Sequence, residues 1–424
     1  MLSVDEAVAA VLAHARPLAA RGERPERALG RVLAEDIIAD IDLPPFDKAL
    51  MDGYAVRSAD WTSAEERRAH VVAEIVAGRT SSRTLAEGEC ARIMTGAPLP
   101  PGADAVIMVE RSRASVDGAV VLAGPVHPGL NRLTRGREMR AGDVLLRRGT
   151  RVDPAKAGLI ASAGRAEVWT IPMPAVAVVP TGDELVPPSS RPAPGQIRDT
   201  NGIMLATLAR AWGASNCHQA DIAPDDPAGL RSALGAQLSR GKGHPLGPVD
   251  VLIVSGGVSA GTKDLVPATL IDLGVEPVFH KVNVRPGKPL WFGVGPRREA
   301  GPGTLVFGLP GNPASAAVSF LLFIRPALDA LAGRADPAPR LVPGRLAVRF
   351  DHRGDRPTYH PARLEGDRIT PLDWAGSADL RAVALADGFA AFPAGDRSFG
   401  PGDPVGFLPF DESPAQRIAR PNPD

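Results

Sequence analysis

Thr304–Leu331, TLVFGLPGNPASAAVSFLLFIRPALDAL, decides the fold class. Its first apolar run has no polar alternation and ends in a Gly-Asn-Pro turn, and a long apolar helix follows. A strand of that kind is buried on both faces. Pro313 suits the first helical position with Asn312 as the N-cap before it, and Ser315 adds a hydroxyl to the helix start. The same grammar occurs twice upstream. PAVAVVPTGDELV, Pro174–Val186, is an apolar run broken by Thr-Gly-Asp-Glu, and DVLIVSGGVSAGTKD, Asp250–Asp264, is another with a Gly-rich exit. GIMLATLARAWG between them reads as a helix closed by Gly213. Buried strands interleaved with helices predict a doubly wound, mostly parallel α/β domain over 171–335, with ligands at the carboxyl ends of its strands.

Working outward, ADPAPRLVPG, about 335 to 344, reads as a linker, and 340–415 as a small C-terminal β domain. Ser3 and Glu6 form a capping-box pattern ahead of Val4, Val8, Val11 and Leu12, which predicts a first helix from about Val4 to Ala19. ALGRVLAEDIIADIDLPPF predicts a short helix and an extended piece. Short β-branched runs between turns make 51–124 a β-rich insert. It sits within a mixed N-terminal subdomain formed by 1–50 with 125–170, whose helix starts near Pro154.

The chain has 424 residues, 44% hydrophobic but only 4% aromatic, so aliphatic side chains must form the cores. There are 45 Gly and 43 Pro, dispersed along the chain, which implies many short turns. Basic and acidic residues number 48 each, so no whole-protein field for nucleic acid exists. The two cysteines, Cys90 and Cys217, form no metal-binding pattern and suit a reducing compartment. Asp5 and Glu6 stand where a signal peptide carries positive charge, and no apolar run approaches the length of a membrane span. A cytoplasmic location is the expectation, with no membrane and no nucleic acid as partners.

The turns carry the chemistry. Ser255-Gly256-Gly257-Val258-Ser259 offers backbone N–H groups and two hydroxyls, either as an oxyanion cradle or as an ordinary tight turn. It matches neither nucleotide-binding glycine fingerprint. Lys281, Arg285 and Lys288 fall in KVNVRPGKP, where prolines limit the conformations; a solvated charge run is the competing explanation. Asp183 and Glu184 sit at a strand exit, Asp225 and Asp226 begin a helix, and Asp264 follows the SGG turn. Carboxylates mixed with phosphate-seeking cations suit Mg²⁺-assisted chemistry on a phosphate or oxyanion.

Seven segments occur in a recognisable order: PPFDKALMDGYAV (Pro44–Val56), ARIMTGAPLPPGADAVIMVE (Ala91–Glu110), VPTGDELV, GQIRDTNG (Gly195–Gly202), VSGGVSAGTKD, KVNVRPGKPL and GLPGNPASA. In that order the chain resembles the molybdopterin molybdenumtransferase family, which includes MoeA and the gephyrin E domain, over essentially its whole length. The resemblance implies molybdate insertion into adenylylated molybdopterin with Mg²⁺-dependent release of AMP. It also implies an elongated homodimer of four-subdomain chains with an inter-chain active site, and a molybdopterin adenylyltransferase as a further partner. By the same resemblance Asp52, Thr95, Asp183, Glu184, Asp264, Lys281 and Lys288 are catalytic. Ser255, Gly256, Gly257, Ser259, Asp226, Gly311, Asn312 and Pro313 would bind adenylylated molybdopterin. Arg285, Lys288, Pro289, Ser315, Arg356 and Ser377 would form the molybdate pocket, since a tetrahedral dianion offers only acceptors. Asp183, Glu184 and Glu138 would hold Mg²⁺.

Three departures from the family pattern stand out. Ala49-Leu50 replaces the usual Ser-Ala, Arg137 and Glu138 replace a Glu-Asp pair, and Pro361 stands where a second arginine is common. Two alternatives compete with the transferase: adenylyltransferase activity of the α/β domain, and a catalytically weak scaffold of the gephyrin kind. Relatives that share the α/β domain alone would leave residues 1–170 unexplained.

Overall fold

The computed structural model describes residues 1–115, 118–214, 216–241, 244–245, 247–258, 265–296 and 303–411. They form two compact units. One comprises Met1–Glu23, Ala28–Ala34 and the described residues from Trp169 onward, the other Arg24–Arg27 and the described residues of Glu35–Val168.

The first unit is built on a six-stranded sheet. Its strands are β1 (Val176–Pro180), β2 (Cys217–Gln219), β3 (Val251–Ser255), β4 (Glu276–His280), β5 (Trp291–Val294) and β6 (Leu305–Leu309), in the spatial order β2-β1-β3-β6-β5-β4. β2, β1, β3 and β6 are parallel, with Val176 opposite Val251 and Val251 opposite Leu305; β5 runs antiparallel to both its neighbours. Every residue of β1, β3 and β6 is buried, so these runs show no polar alternation. Successive side chains still face opposite layers. Val176 and Val178 join a core with helices α1 (Val4–His14), α3 (Asn201–Ala211) and α6 (Pro313–Leu331). Ala177 and Val179 pack with α4 (Pro227–Leu238) and α5 (Val266–Asp272). The remaining helix of this chain-order series, α2 (Pro154–Ser162), belongs to the second unit.

α6 is 19 residues long with mean hydropathy 1.5, enough by length and composition to cross a membrane, contrary to the expectation that no run comes near that length. From Ala314 to Leu331 every residue is buried, as befits a core helix. Its Phe320–Ile324 segment widens to a π-helix just before Pro326, which lacks an N–H and crowds the carbonyl one turn back.

Three boundaries differ from expectation. α1 stops at His14, because Pro17 disfavours helical geometry at Arg16 and cannot donate to the ladder. The expected short helix after Ala28 is absent. Gly30 turns at φ +77, and Val32 and Leu33 pair as a strand with Ile171 and Thr170, so tertiary pairing overrides helix propensity. The linker ends earlier than 344, because Val342 already pairs with Phe407. From Val342 the chain closes a five-stranded barrel of Val342–Leu346, Arg368–Pro371, Thr358–Glu365, Gly388–Phe392 and Pro404–Pro409, filled by Leu346, Ile369, Phe392 and Phe407.

The second unit contains a separate six-stranded sheet, in the order Ala105–Met108, Gly53–Val56, Glu89–Ile93, Glu66–Ile75, Ala119–Ala123 and Ser112–Ala114. Tyr54 and Val56 pack with Trp61 and Ile107 on one face, while Ala55 packs with Ile75 and Ile93 on the other.

Candidate active site

β1 and β3 are adjacent, but the chain leaves them in opposite directions across the sheet. Ligands in open α/β folds bind at such a switch point. A cavity of about 740 Å³ opens there, lined by Thr181 and Glu184 after β1, Ser255–Gly257 after β3, and Gly311–Pro313 after β6. Asp199, Thr200 and Asn201 at the start of α3 complete its wall. Packing dictates both glycines of the SGG turn. They adopt φ +107 and +63, and a Cβ on either would crowd the Thr181 hydroxyl or Val266.

A second cavity of about 500 Å³ adjoins it, lined by Asp183, Asp199, Gln219, Asp221 and several prolines. Asp183 and Glu184, consecutive in sequence, thus open onto different cavities. Asp183 accepts from the Asp225 N–H at 3.0 Å, and the Glu184 carboxylate folds back over Gly182, where a Cβ would lie 2.7 Å from it. Asp226 caps α4, accepting from Ala228 and Gly229 at 3.0 and 2.9 Å.

Asn312 occupies the N-cap position of α6 as expected, but its side chain does not cap the helix. It donates instead to Ser377 Oγ at 2.9 Å, and the Ser377 carbonyl accepts from Ala314 N–H at 3.1 Å. Ser377 therefore sits on the first turn that also carries Ser315.

The cation loop is tied to the barrel. Arg285 donates its N–H to Pro357 O and accepts from Tyr359 N–H, at 2.9 and 2.8 Å, and Arg356 Nη1 donates to Val284 O at 3.3 Å. Gly287, at φ +113, lies against α6, where a Cβ would be 3.0 Å from Ser319 Oγ and 3.5 Å from Ser315 O. These contacts tether the Arg285 loop to the Arg356 segment and to the α6 start that carries Ser315 and meets Ser377, with Lys288 and Pro289 following Gly287 on the same loop. Lys281 begins the loop at φ +75, with its N–H bonded to Leu290 O at 2.8 Å. Among the described residues, Lys281, Arg285 and Lys288 form no ion pair with a carboxylate. An unbalanced group of cations beside hydroxyls suits an oxyanion.

In the other unit, Asp52 Oδ1 accepts from both the Thr95 N–H and the Thr95 hydroxyl, each at 2.7 Å. These bonds hold the Asp52 carboxyl below the usual carboxylate range, the backbone bond contributing most. Gly53 is fixed by packing, because a Cβ would lie 1.9 Å from Ile107 O. Glu138 pairs with Lys48 at 3.1 Å. Ala49 is buried, with its N–H on Ala97 O and its carbonyl on Gly96 N–H, so the missing serine hydroxyl would have faced the interior.

Ser259 and Asp264 lie outside the described residues. Among the described residues, no three His, Cys, Asp or Glu side chains gather into a metal-binding group.

Three family models match in sequence: the MoeA N-terminal region (domains I and II) over residues 2–164, a probable molybdopterin binding domain over 177–330, and the MoeA C-terminal region (domain IV) over 343–410. The chain belongs to the molybdopterin molybdenumtransferase family. It is 31% identical over 398 residues to a molybdopterin molybdenumtransferase of Staphylococcus aureus, covering 92% of this chain and 91% of the relative. It is 39% identical over 380 residues to molybdopterin molybdenumtransferase 2 of Mycobacterium tuberculosis, covering 87% and 89%. A crystal structure of a molybdopterin biosynthesis MoeA protein from Pyrococcus horikoshii superposes with TM-score 0.80 at 32% identity, covering 97% of this chain and 99% of that one. This MoeA-type chain is thus a transferase of molybdenum cofactor biosynthesis.

Sequence reading of this MoeA-type site passed over Thr181, Asp199 and Asn201. The polar run Asp199-Thr200-Asn201 before an apolar helix reads as a helix cap, and Asp199 does accept from Gly202 N–H at 2.8 Å. The signal for a second role was an asparagine, with both donors and an acceptor, at a helix start beside a strand exit.

Proposed function

We propose that the chain inserts molybdate into adenylylated molybdopterin, hydrolysing the pyrophosphate link and releasing AMP. The observation that carries this reading is the loop of Lys281, Arg285 and Lys288, which pair with no carboxylate among the described residues, held against the segments that carry Ser315, Arg356 and Ser377. Such a pocket supplies donors on several sides to a dianion that can only accept. The neighbouring cavity of about 740 Å³, with its glycine turn and the α6 N-terminus, is large enough for the pterin and phosphate portions.

Mg²⁺ fits here only as an ion shared with substrate. It typically takes one or two carboxylates plus phosphate oxygens, and Glu184 lining the larger cavity, or Asp183 lining the adjoining one, would supply a carboxylate. Glu138, already paired with Lys48, is the weaker candidate. When bound, the ion would offset phosphate charge in the transition state. The chain's own residues bind and orient. The SGG turn and α6 start hold the acceptor-rich end of the substrate, and Lys288 and Arg285 hold the oxyanion. Asp52, fixed by Thr95, would serve a site shared between two chains of a cytoplasmic homodimer, with a molybdopterin adenylyltransferase as the supplier of substrate.

The test incubates purified protein with adenylylated molybdopterin, Mg²⁺ and molybdate. Wild-type protein should release AMP, and folded Lys288→Ala and Asp264→Ala variants should lose most of that release. If wild type released no AMP with any oxyanion, the reading would be wrong. A monomeric mass at micromolar concentration would remove the shared site.

A further inference from the structure

Asn201 begins α3 and is 7% exposed, and it lines the larger cavity. Its Nδ2 donates to Gly311 O at 2.8 Å and to Ser255 Oγ at 3.0 Å. The first bond fixes the amide orientation, because a carbonyl can only accept, so the nitrogen and not the oxygen must face Gly311. The second proton of the same nitrogen then goes to Ser255. Asn201 Oδ1 is buried and has no partner among the described residues, so the two Nδ2 bonds alone set the side chain.

The consequence falls on Ser255. A serine hydroxyl has one proton to give and lone pairs to accept with. The Asn201 bond occupies a lone pair, and among the described residues no acceptor takes the Ser255 proton. Ser255 itself is 3% exposed and lines the cavity. We propose that Asn201 is a positioning residue: it locks Ser255 as a donor aimed into the cavity and pins the β3 exit to the β6 exit through Gly311. Ser255 then offers its proton to an acceptor atom of the ligand, while Thr181 and the turn glycines shape the floor. The inference rests on the proposed substrate for its ligand but not on the reaction.

Its test is direct binding of adenylylated molybdopterin to the full chain, measured calorimetrically without Mg²⁺ or molybdate. Asn201→Asp has nearly the same shape but no N–H donors, so the Ser255 proton turns to the new carboxylate. Affinity should fall about tenfold, the size expected for one lost hydrogen bond to a charged acceptor. Ser255→Ala should show a similar loss, and the double variant should be no weaker than Ser255→Ala. Asn201→Ala, which leaves the hydroxyl unpinned, should show a smaller loss and serves if Asn201→Asp does not fold. A helix-capping role alone would lower the melting temperature and leave the binding losses additive. Wild-type affinity in folded Asn201→Asp and Asn201→Ala, or full additivity with Ser255→Ala, would overturn the proposal. If wild type binds but releases no AMP under turnover conditions, the proposed reaction fails while the affinity ratios still decide the role of Asn201. If wild type does not bind at all, both are overturned.

Discussion

Asn312 and Ser377, 65 positions apart in sequence, meet at 2.9 Å, amide nitrogen to hydroxyl oxygen. The bond places a hydroxyl from the C-terminal segment on the first turn of α6. Because Asn312 donates, the Ser377 proton is available for an anion. Ser377→Ala should therefore weaken molybdate binding about tenfold by equilibrium dialysis, as for one charge-assisted bond lost. Its melting temperature should hardly change, because the Ala314–Ser377 backbone bond survives.

Gly53 gives a sharper stability test. Its ideal Cβ would lie 1.9 Å from the Ile107 carbonyl oxygen, a backbone atom that cannot swing aside. Gly53→Ala should destabilise its unit by about 1–3 kcal/mol, the range for overpacking. The measurement is the urea midpoint, with Gly96→Ala as a comparison that has no atom within 4 Å of the added Cβ but does pay for a positive φ.

His360 supplies a pH dependence. Burial pushes its imidazole below the ordinary histidine range; the bond to Leu372 O opposes this, and the Arg285 charge reinforces it. The unfolded chain therefore binds more protons below about pH 6.5. The contribution of His360 to stability is complete above that value and is lost as pH falls through the folded pKa. His360→Gln should flatten the decline in stability below about pH 6.5. Saturating molybdate, by offsetting Arg285, should raise the His360 pKa in an NMR titration. An unchanged value would place the dianion away from Arg285.

Much of the fold could be read from residues because burial left a plain signature. VAVVP, VLIVS and LVFGL lack alternation since both faces of their strands are covered, and Pro313 marks the α6 start by its missing N–H. Where long-range pairing chose the structure, the sequence misled. Val32 and Leu33 look helical in isolation but pair with Thr170 and Ile171, more than a hundred residues away. The site shows the same split. The cations of KVNVRPGKP announced themselves by charge, whereas the bond from Asn312 to Ser377 joins residues 65 positions apart, which no local pattern encodes. Asn201 stayed hidden because a helix-start asparagine has a sufficient local explanation.

The most direct measurement of the central claim is the position of molybdenum itself. Crystals equilibrated with molybdate and measured at the molybdenum absorption edge should show an anomalous peak within hydrogen-bonding reach of Lys288, Arg285 and Ser315, with Arg356 and Ser377 alongside. A bound peak elsewhere on the chain, or none at saturating molybdate, would contradict the account.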